Sequence, residues 1–399
     1  MTTERPALRV GLVGYGLAGA AFHAPLIATT PGLRLDAVVT ADPERREQLR
    51  RDHPDARVLA TAEELLAGPG ALDLIVIASP NRTHVPLARA ALEAGLPVVV
   101  DKPLAAGAAE AAALADLAEA RGLMLTVFQN RRWDSDFLTA RRLIAEGDLG
   151  TVHRFESRFE RWRPEPKSGW RESAEPVDAG GILYDLGSHL VDQALTLFGP
   201  AVRVYAEVDI RRREARVDDD AFIALTHASG VRSHLWMGAL TAQPGPRLRV
   251  LGDQSAYVTH GMDPQEDALR AGQRPGPAWG EEPEDQWGLL GTTDATALYP
   301  SLSGDYPAFY QGVERALREG VAPPVDPRDA VASLIVLEAA RRSAEEGRSV
   351  SLPLEVPVAG DAPTVAPVPT APSVSSMPSV SSMPSVPDSR VPQQAEVTA

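Results

Sequence analysis

The sequence predicts an α/β chain in two parts: a parallel sheet covered by helices on both faces, then a mostly antiparallel sheet with one open face. Three observations carry this. Residues 8–128 alternate short β-branched runs with helical stretches, and near-continuous apolar strands separated by helices form a parallel sheet buried on both sides. Beyond about residue 130 the strand-like runs alternate polar and apolar positions, as strands with one solvated face do. A glycine-rich turn, with Gly14, Gly16 and Gly19, falls between the first strand and the first helix.

In chain order, five strands are expected in the first part: LRVGLVG (8–14), LRLDAVVT (33–40), LDLIVIAS (72–79), LPVVVD (96–101) and LMLTVFQ (123–129). Helices over 17–29, 43–53, 83–94 and 107–121 separate them, and another over 135–146 stops at Gly147. Strands follow at 151–162, 201–211, 221–227 and 232–240. The stretch GGILYDLGSHLVDQALTLFG (180–199) reads as one helix entered through two glycines. Residues 264–300, rich in Gly, Pro and Trp, read as a long loop. Helices at 306–320 and 326–347 each close on a glycine with arginine in or near the last turn, as C-terminal capping expects. From 357 the composition turns to Pro, Ser, Val and Thr, with a six-residue unit repeated within 372–386. Such a tract cannot bury enough apolar surface to offset chain entropy. The division expected is therefore 1–128, 129–356 and a disordered tail at 357–399.

The length of 399 residues fits two domains with additions. A formal net charge of −15 argues against nucleic acid or an anionic membrane surface as partner. The chain has no cysteine, which excludes disulfides, zinc–thiolate sites, iron–sulfur clusters and thiol catalysis and fits a reducing cytoplasm. No apolar run reaches membrane-spanning length, and MTTERPALRV lacks the apolar core of a secretory leader.

The turn Gly14-x-Gly16-x-x-Gly19 has the spacing of a dinucleotide fingerprint. Gly14 permits the tight turn, Gly16 lets backbone approach a pyrophosphate, and Gly19 lets helix lie close on strand. About 20 residues on, a carboxylate would bind the ribose 2′-hydroxyl of NAD. Thr40 stands there instead. It can donate to a 2′-phosphate that Arg45 or Arg46 neutralises, so NADP is favoured over NAD, although nearby Asp42 works against this. Ser79, Pro80 and Asn81 follow the next strand and are candidate cofactor contacts, with His84 read as structural. Lys102 ends the following strand at the ligand crevice, where an ammonium can hold a substrate hydroxyl oxygen. Asp185, His189 and Asp192 are spaced to share one helical face. His189 is the candidate acid/base for a hydroxyl proton, Asp185 its orienting neighbour, and Asp192 an anchor for further hydroxyls. Asn130, Arg132 and Trp133, after the last strand of the first part, are candidate substrate contacts. Arg161, Trp162, Trp170 and Arg171 are candidate covers of the pocket without an assigned place. No metal site is expected.

These pieces together resemble the Gfo/Idh/MocA oxidoreductases: GYGLAG, then DKP where that family often has E-K-P, then GGILYDLGSHLVDQ on its G-G-x-x-x-D-x-x-x-H pattern. The resemblance spans about residues 7–350. It implies a Rossmann domain and then an α+β domain with a large, mostly antiparallel open sheet that forms a homo-oligomer interface, with helix 326–347 returning to the first domain. It also implies that Lys102, Asp185 and His189 are catalytic and that the Lys102–Pro103 bond is cis. FHAPLI (22–27), FQNRRWDSDFL (128–138), FESRFERWRP (155–164), GMDPQEDALRAG (261–272) and YPAFY (306–310) are similar to the branch of NADP-dependent scyllo-inositol 2-dehydrogenases. That branch implies reversible oxidation of the polyol scyllo-inositol to scyllo-inosose. Dehydrogenation of another sugar, NAD-dependent glycosidic cleavage and non-catalytic sensing are the alternatives on the same fold.

Overall fold

The computed structural model describes residues 6–67, 72–166 and 169–353, so the expected tail at 357–399 lies outside the described residues. The first sheet contains β1 (Leu8–Val13), β2 (Leu33–Val39), β3 (Arg57–Leu59), β4 (Leu74–Ile77), β5 (Val98–Asp101) and β6 (Leu125–Phe128), in the order β3-β2-β1-β4-β5-β6. All its pairings are parallel. Every residue of β4 is buried, as covering helices on both faces require. Those helices include α1 (Ala24–Thr29), reached through a π-helical turn at Ala18–His23, α2 (Pro43–Asp52), α3 (Ala62–Leu66), α4 (His84–Glu93) and α5 (Ala108–Arg121). Edge strand β3 and short helix α3 are additions to the five-strand expectation. With only three residues, none fully buried, β3 leaves almost no apolar run to read. Strand order reverses between β1 and β4, which opens the ligand crevice at the carboxyl ends of these strands.

Helix α6 (Ser135–Glu146) leads into a nine-stranded sheet. Its strands are β7 (Val152–Glu160), β8 (Ala201–Asp209), β9 (Asp220–His227), β10 (Arg232–Gly238), β11 (Leu248–Gly252), β12 (Ala256–Thr259), β13 (Gly288–Thr292), β14 (Ala295–Tyr299) and β15 (Val350–Ser351), in the order β14-β13-β12-β11-β7-β10-β9-β8-β15. Only the central β7–β10 pair is parallel. The region 264–300 is not a loop throughout. It holds a short helix and the hairpin β13–β14, whose half-exposed glycine- and threonine-containing strands lack a clean apolar alternation. The stretch 180–199 is likewise two helices, α7 (Ile182–Asp185) and α8 (Gly187–Phe198), broken at Leu186.

The short helix is α9 (Gln265–Arg270), and α10 (Pro307–Glu319) and α11 (Pro327–Glu346) follow it. Helix α10 brings Phe309 and Tyr310 into an aromatic cluster with Phe128 and His23 beneath the first sheet. Helix α11 starts on Asp326, whose side chain accepts from the Arg328 N–H, and stops at left-handed Gly347. It lies against α5 of the first half and against β8 and α8 of the second. Ala108 N–H donates to Glu338 Oε1 (2.7 Å), and Thr126 Oγ1 donates to the Val325 carbonyl (2.7 Å).

Candidate active site

The glycine turn sits where the strand order reverses. Gly14 has φ +99°, and a Cβ there would lie 2.6 Å from the Ala78 carbonyl oxygen. A Cβ on Gly19 would lie 2.0 Å from the Gly14 carbonyl oxygen. Both positions are therefore closed to any side chain. At Gly16 a Cβ would meet only the Arg45 guanidinium, at 3.7 Å. That open face, beside the backbone N–H groups of a helix start, suits a pyrophosphate. Gly14, Gly16, Arg45 and Ser79 line a cleft of about 490 Å³.

Thr40 is buried at the end of β2. Its N–H donates to the Leu59 carbonyl, and its own carbonyl accepts from Arg46 Nε at 2.8 Å. Asp42 caps α2, accepting from the N–H groups of Glu44 and Arg45, so its carboxylate is engaged by its own helix. Asn81 is buried just after the cleft residues Ser79 and Pro80, with Nδ2 donating to the Asp178 carbonyl at 2.8 Å and Oδ1 without a partner among the described residues. His84 is buried between the Pro103 and Ser79 carbonyls at 2.8 and 2.9 Å, joining the ends of two strands.

A second cavity, of about 200 Å³, adjoins the cleft and shares Asp101, Asp185, Arg161 and Arg171 with it. Lys102, His189 and Asn130 line it. The Lys102–Pro103 bond is cis. Lys102 Nζ donates to Asp185 Oδ1 at 2.8 Å and to the Asp185 carbonyl at 2.5 Å. Burial alone would push the Asp185 carboxyl up, but Lys102 and Arg171 beside it more than offset this and hold it below the usual carboxylate range. Arg171 Nε lies 3.3 Å from the same oxygen.

His189 is buried, with its ring stacked 6.4 Å from the Phe159 ring centroid. Burial, and then the Lys102 and Arg131 charges, drive the imidazole well below its ordinary value. The orienting bond expected from Asp185 is not formed. That carboxylate faces the two cations, and His189 Nδ1 has no partner among the described residues. The break at Leu186 is the physical reason, because it puts Asp185 at the end of one helix and His189 at the start of another.

Three expected substrate residues lie elsewhere. Asp192 accepts two bonds from Arg132, at 2.8 and 2.6 Å, and Arg132 also reaches Asp329 at 3.0 Å. This cluster, with Asp192 buried and Asp329 half-exposed, ties α8 to α11 outside the cavity lining. Trp133 stands edge-on to Phe309. In the tight turn Asn130–Trp133 it is Arg131 that faces the cavity, and nothing in two adjacent arginines tells which one turns inward. Arg163 was also missed. Arg161 and Arg171, which had no place, prove to line the cavity. Among the described residues no group of three or more His, Asp or Glu is placed to hold a metal ion, and no helix is long and apolar enough to cross a membrane.

Known proteins match this arrangement along most of the chain. The family model described as "Oxidoreductase family, NAD-binding Rossmann fold" matches residues 8–129, and "Oxidoreductase family, C-terminal alpha/beta domain" matches 141–352. The scyllo-inositol 2-dehydrogenase (NADP(+)) IolW of Bacillus subtilis is 36% identical over 350 residues, covering 86% of this chain and 96% of that one. The uncharacterized oxidoreductase YdgJ of Escherichia coli is 41% identical over 350 residues, covering 86% and 99%. The solved structure of yvaA from Bacillus subtilis has a TM-score of 0.82 at 35% identity, covering 87% of this chain and 99% of that chain.

Proposed function

The chain belongs to the Gfo/Idh/MocA oxidoreductases and is an NAD(P)-dependent enzyme, and from that premise we propose that it oxidises, reversibly, a secondary hydroxyl of a cyclic polyol with NADP. Scyllo-inositol, giving scyllo-inosose, is the first substrate to test. The observation that carries this reading is the meeting of Lys102 and His189 in one cavity that adjoins the glycine-turn cleft.

The residues present fit a nicotinamide dinucleotide. Gly16 leaves the approach open and Arg45 stands beside it. When bound, the nicotinamide supplies the acceptor or donor of hydride. Lys102 has three N–H groups, two of them directed to Asp185, so the third is free to hold the substrate hydroxyl oxygen and stabilise charge on it. Depressed as it is, the His189 imidazole is neutral at pH 7 and can take the hydroxyl proton, returning it in the reverse direction. Asp185 keeps Lys102 in place and balances its charge. The preference for NADP is supported by the name of the relative IolW, by the lack of a carboxylate at Thr40 and by Arg45 in the cleft lining.

We also propose a homo-oligomer formed through the open sheet. Phe222, His234 and Trp236 line up on adjacent strands β9 and β10, with the Arg158 guanidinium 3.9 Å from the Trp236 ring centroid.

Initial rates on a panel of inositols and aldoses, with NADP and NAD in parallel, test the reading. Turnover of a cyclic polyol with NADP preferred supports it. No oxidation of any polyol with either nucleotide overturns it.

A further inference from the structure

The charges around the cavity do not balance locally. Lys102 and Arg171 pair with Asp185. Arg131 and Arg270 pair with Glu266, at 2.5 and 3.2 Å. Arg161 stands between these clusters, and its guanidinium makes no hydrogen bond or ion pair among the described residues. It lies 4.5 Å from the centroid of the Phe159 ring, the ring against which His189 stacks. Arg163, two positions along the same stretch, lines the cavity as well and has no side-chain partner among the described residues. Burial and the charge of Arg163 pull the Arg161 guanidinium down to about 10.

A guanidinium offers five N–H donors in a fixed fork and no acceptor. The Asp185 and Glu266 carboxylates attract it from a distance, but taking it largely out of water with no carboxylate in contact is unfavourable, and contact with one phenyl ring compensates only in part. Neutral hydroxyls do not cancel such a charge, whereas a carboxylate or phosphate matches the fork in both geometry and sign. The surrounding chain carries −15, so a cationic pocket here is a local reversal of the molecule's field.

We propose that Arg161 is the receptor for an oxyanion on the substrate, so the preferred polyol carries a carboxylate or a phosphate besides the hydroxyl that reacts. This rests on the oxidoreductase reading above and adds the substrate's charge class to it. Arg161 lines the glycine-turn cleft as well as the smaller cavity, and its contact with Phe159, the ring against which His189 stacks, sets it next to the reacting hydroxyl.

The test uses the full chain with NADP, comparing wild type, Arg161→Gln and Arg161→Lys on scyllo-inositol, D-glucose, D-glucuronate and D-glucose 6-phosphate. One anionic sugar should show a KM below that of neutral glucose. Arg161→Gln should raise that KM about tenfold or more relative to the change for neutral substrates, with Arg161→Lys restoring part of it. Glucuronate responding marks a carboxylate, and glucose 6-phosphate a phosphate. Thermal shift supplies a readout without turnover: the responding anion should stabilise the wild type with NADP present and not Arg161→Gln. Three results overturn the proposal: equal KM increases for neutral and anionic sugars, an increase confined to the KM of NADP, and no stabilisation of wild type by either anion. Failure of the oxidoreductase reading is different, since no sugar would then be oxidised by wild type while anion stabilisation could persist.

Discussion

At the residue scale, His189 is a buried base whose Nδ1 has no partner among the described residues and which lies near three cations and a phenyl ring. A histidine held this way accepts protons reluctantly, so it stays a base in mildly acidic solution. The pH profile of kcat/KM for oxidation should therefore show an acid limb with its midpoint below the ordinary imidazole value of about 6.5. Oxidation falls only as the ring takes up a proton beneath that point. His189→Ala should lower kcat by about a hundredfold or more, abolish that limb, and leave the Kd for NADPH within about threefold. Unchanged turnover would remove His189 from the chemistry. For the cofactor, Thr40→Glu should shift preference from NADP toward NAD, because a carboxylate repels a 2′-phosphate and accepts from a 2′-hydroxyl. Parallel Kd measurements with the two nucleotides check this. Lys102 and His189 were legible because a strand end and a helix turn have only one place to point. Asp192 and Arg132 were not, since a spacing of three says which helical face a residue shares but not what the rest of the fold brings against it.

At the scale of single elements, the glycine turn separates two duties that the fingerprint merges. Gly19→Ala drives a methyl into the Gly14 carbonyl and should cost stability by about 1–3 kcal/mol, seen as a lower Tm without any cofactor. Gly16→Ala meets nothing closer than a flexible guanidinium. It should leave the Tm of the free protein in place and weaken binding of the dinucleotide, read by titration. The apolar strands stood out by their β-branched runs, and the helices at 43–52, 84–93 and 108–121 by lying between those runs with residues that favour helix, such as the alanines of 108–121. The strands at 57–59 and 288–299 did not. They lie at or near sheet edges, where neither face is fully buried and so the sequence has no alternation to display.

At the scale of the whole molecule, Arg132 joins buried Asp192 to half-exposed Asp329 in a clasp between α8 and α11. Arg132→Met leaves Asp192 buried without its counter-charge and should destabilise by about 3–5 kcal/mol, measurable by denaturant unfolding. The division into a parallel and a mostly antiparallel sheet was readable from the change in alternation near residue 130. The return of α11 to the first half had no local signal and came only with the resemblance, and the docking of α10 there was not expected at all.

That late closure has a consequence for how the chain can be cut. The helices at 307–319 and 327–346 supply Phe309, Tyr310 and the Glu338 cap to a layer whose strands end at residue 128. A piece ending near residue 130 would leave this aromatic floor bare to water, so the nucleotide-binding half, expressed by itself, should aggregate. A ribosome must therefore deliver nearly the full globular length before the first-made layer can become watertight.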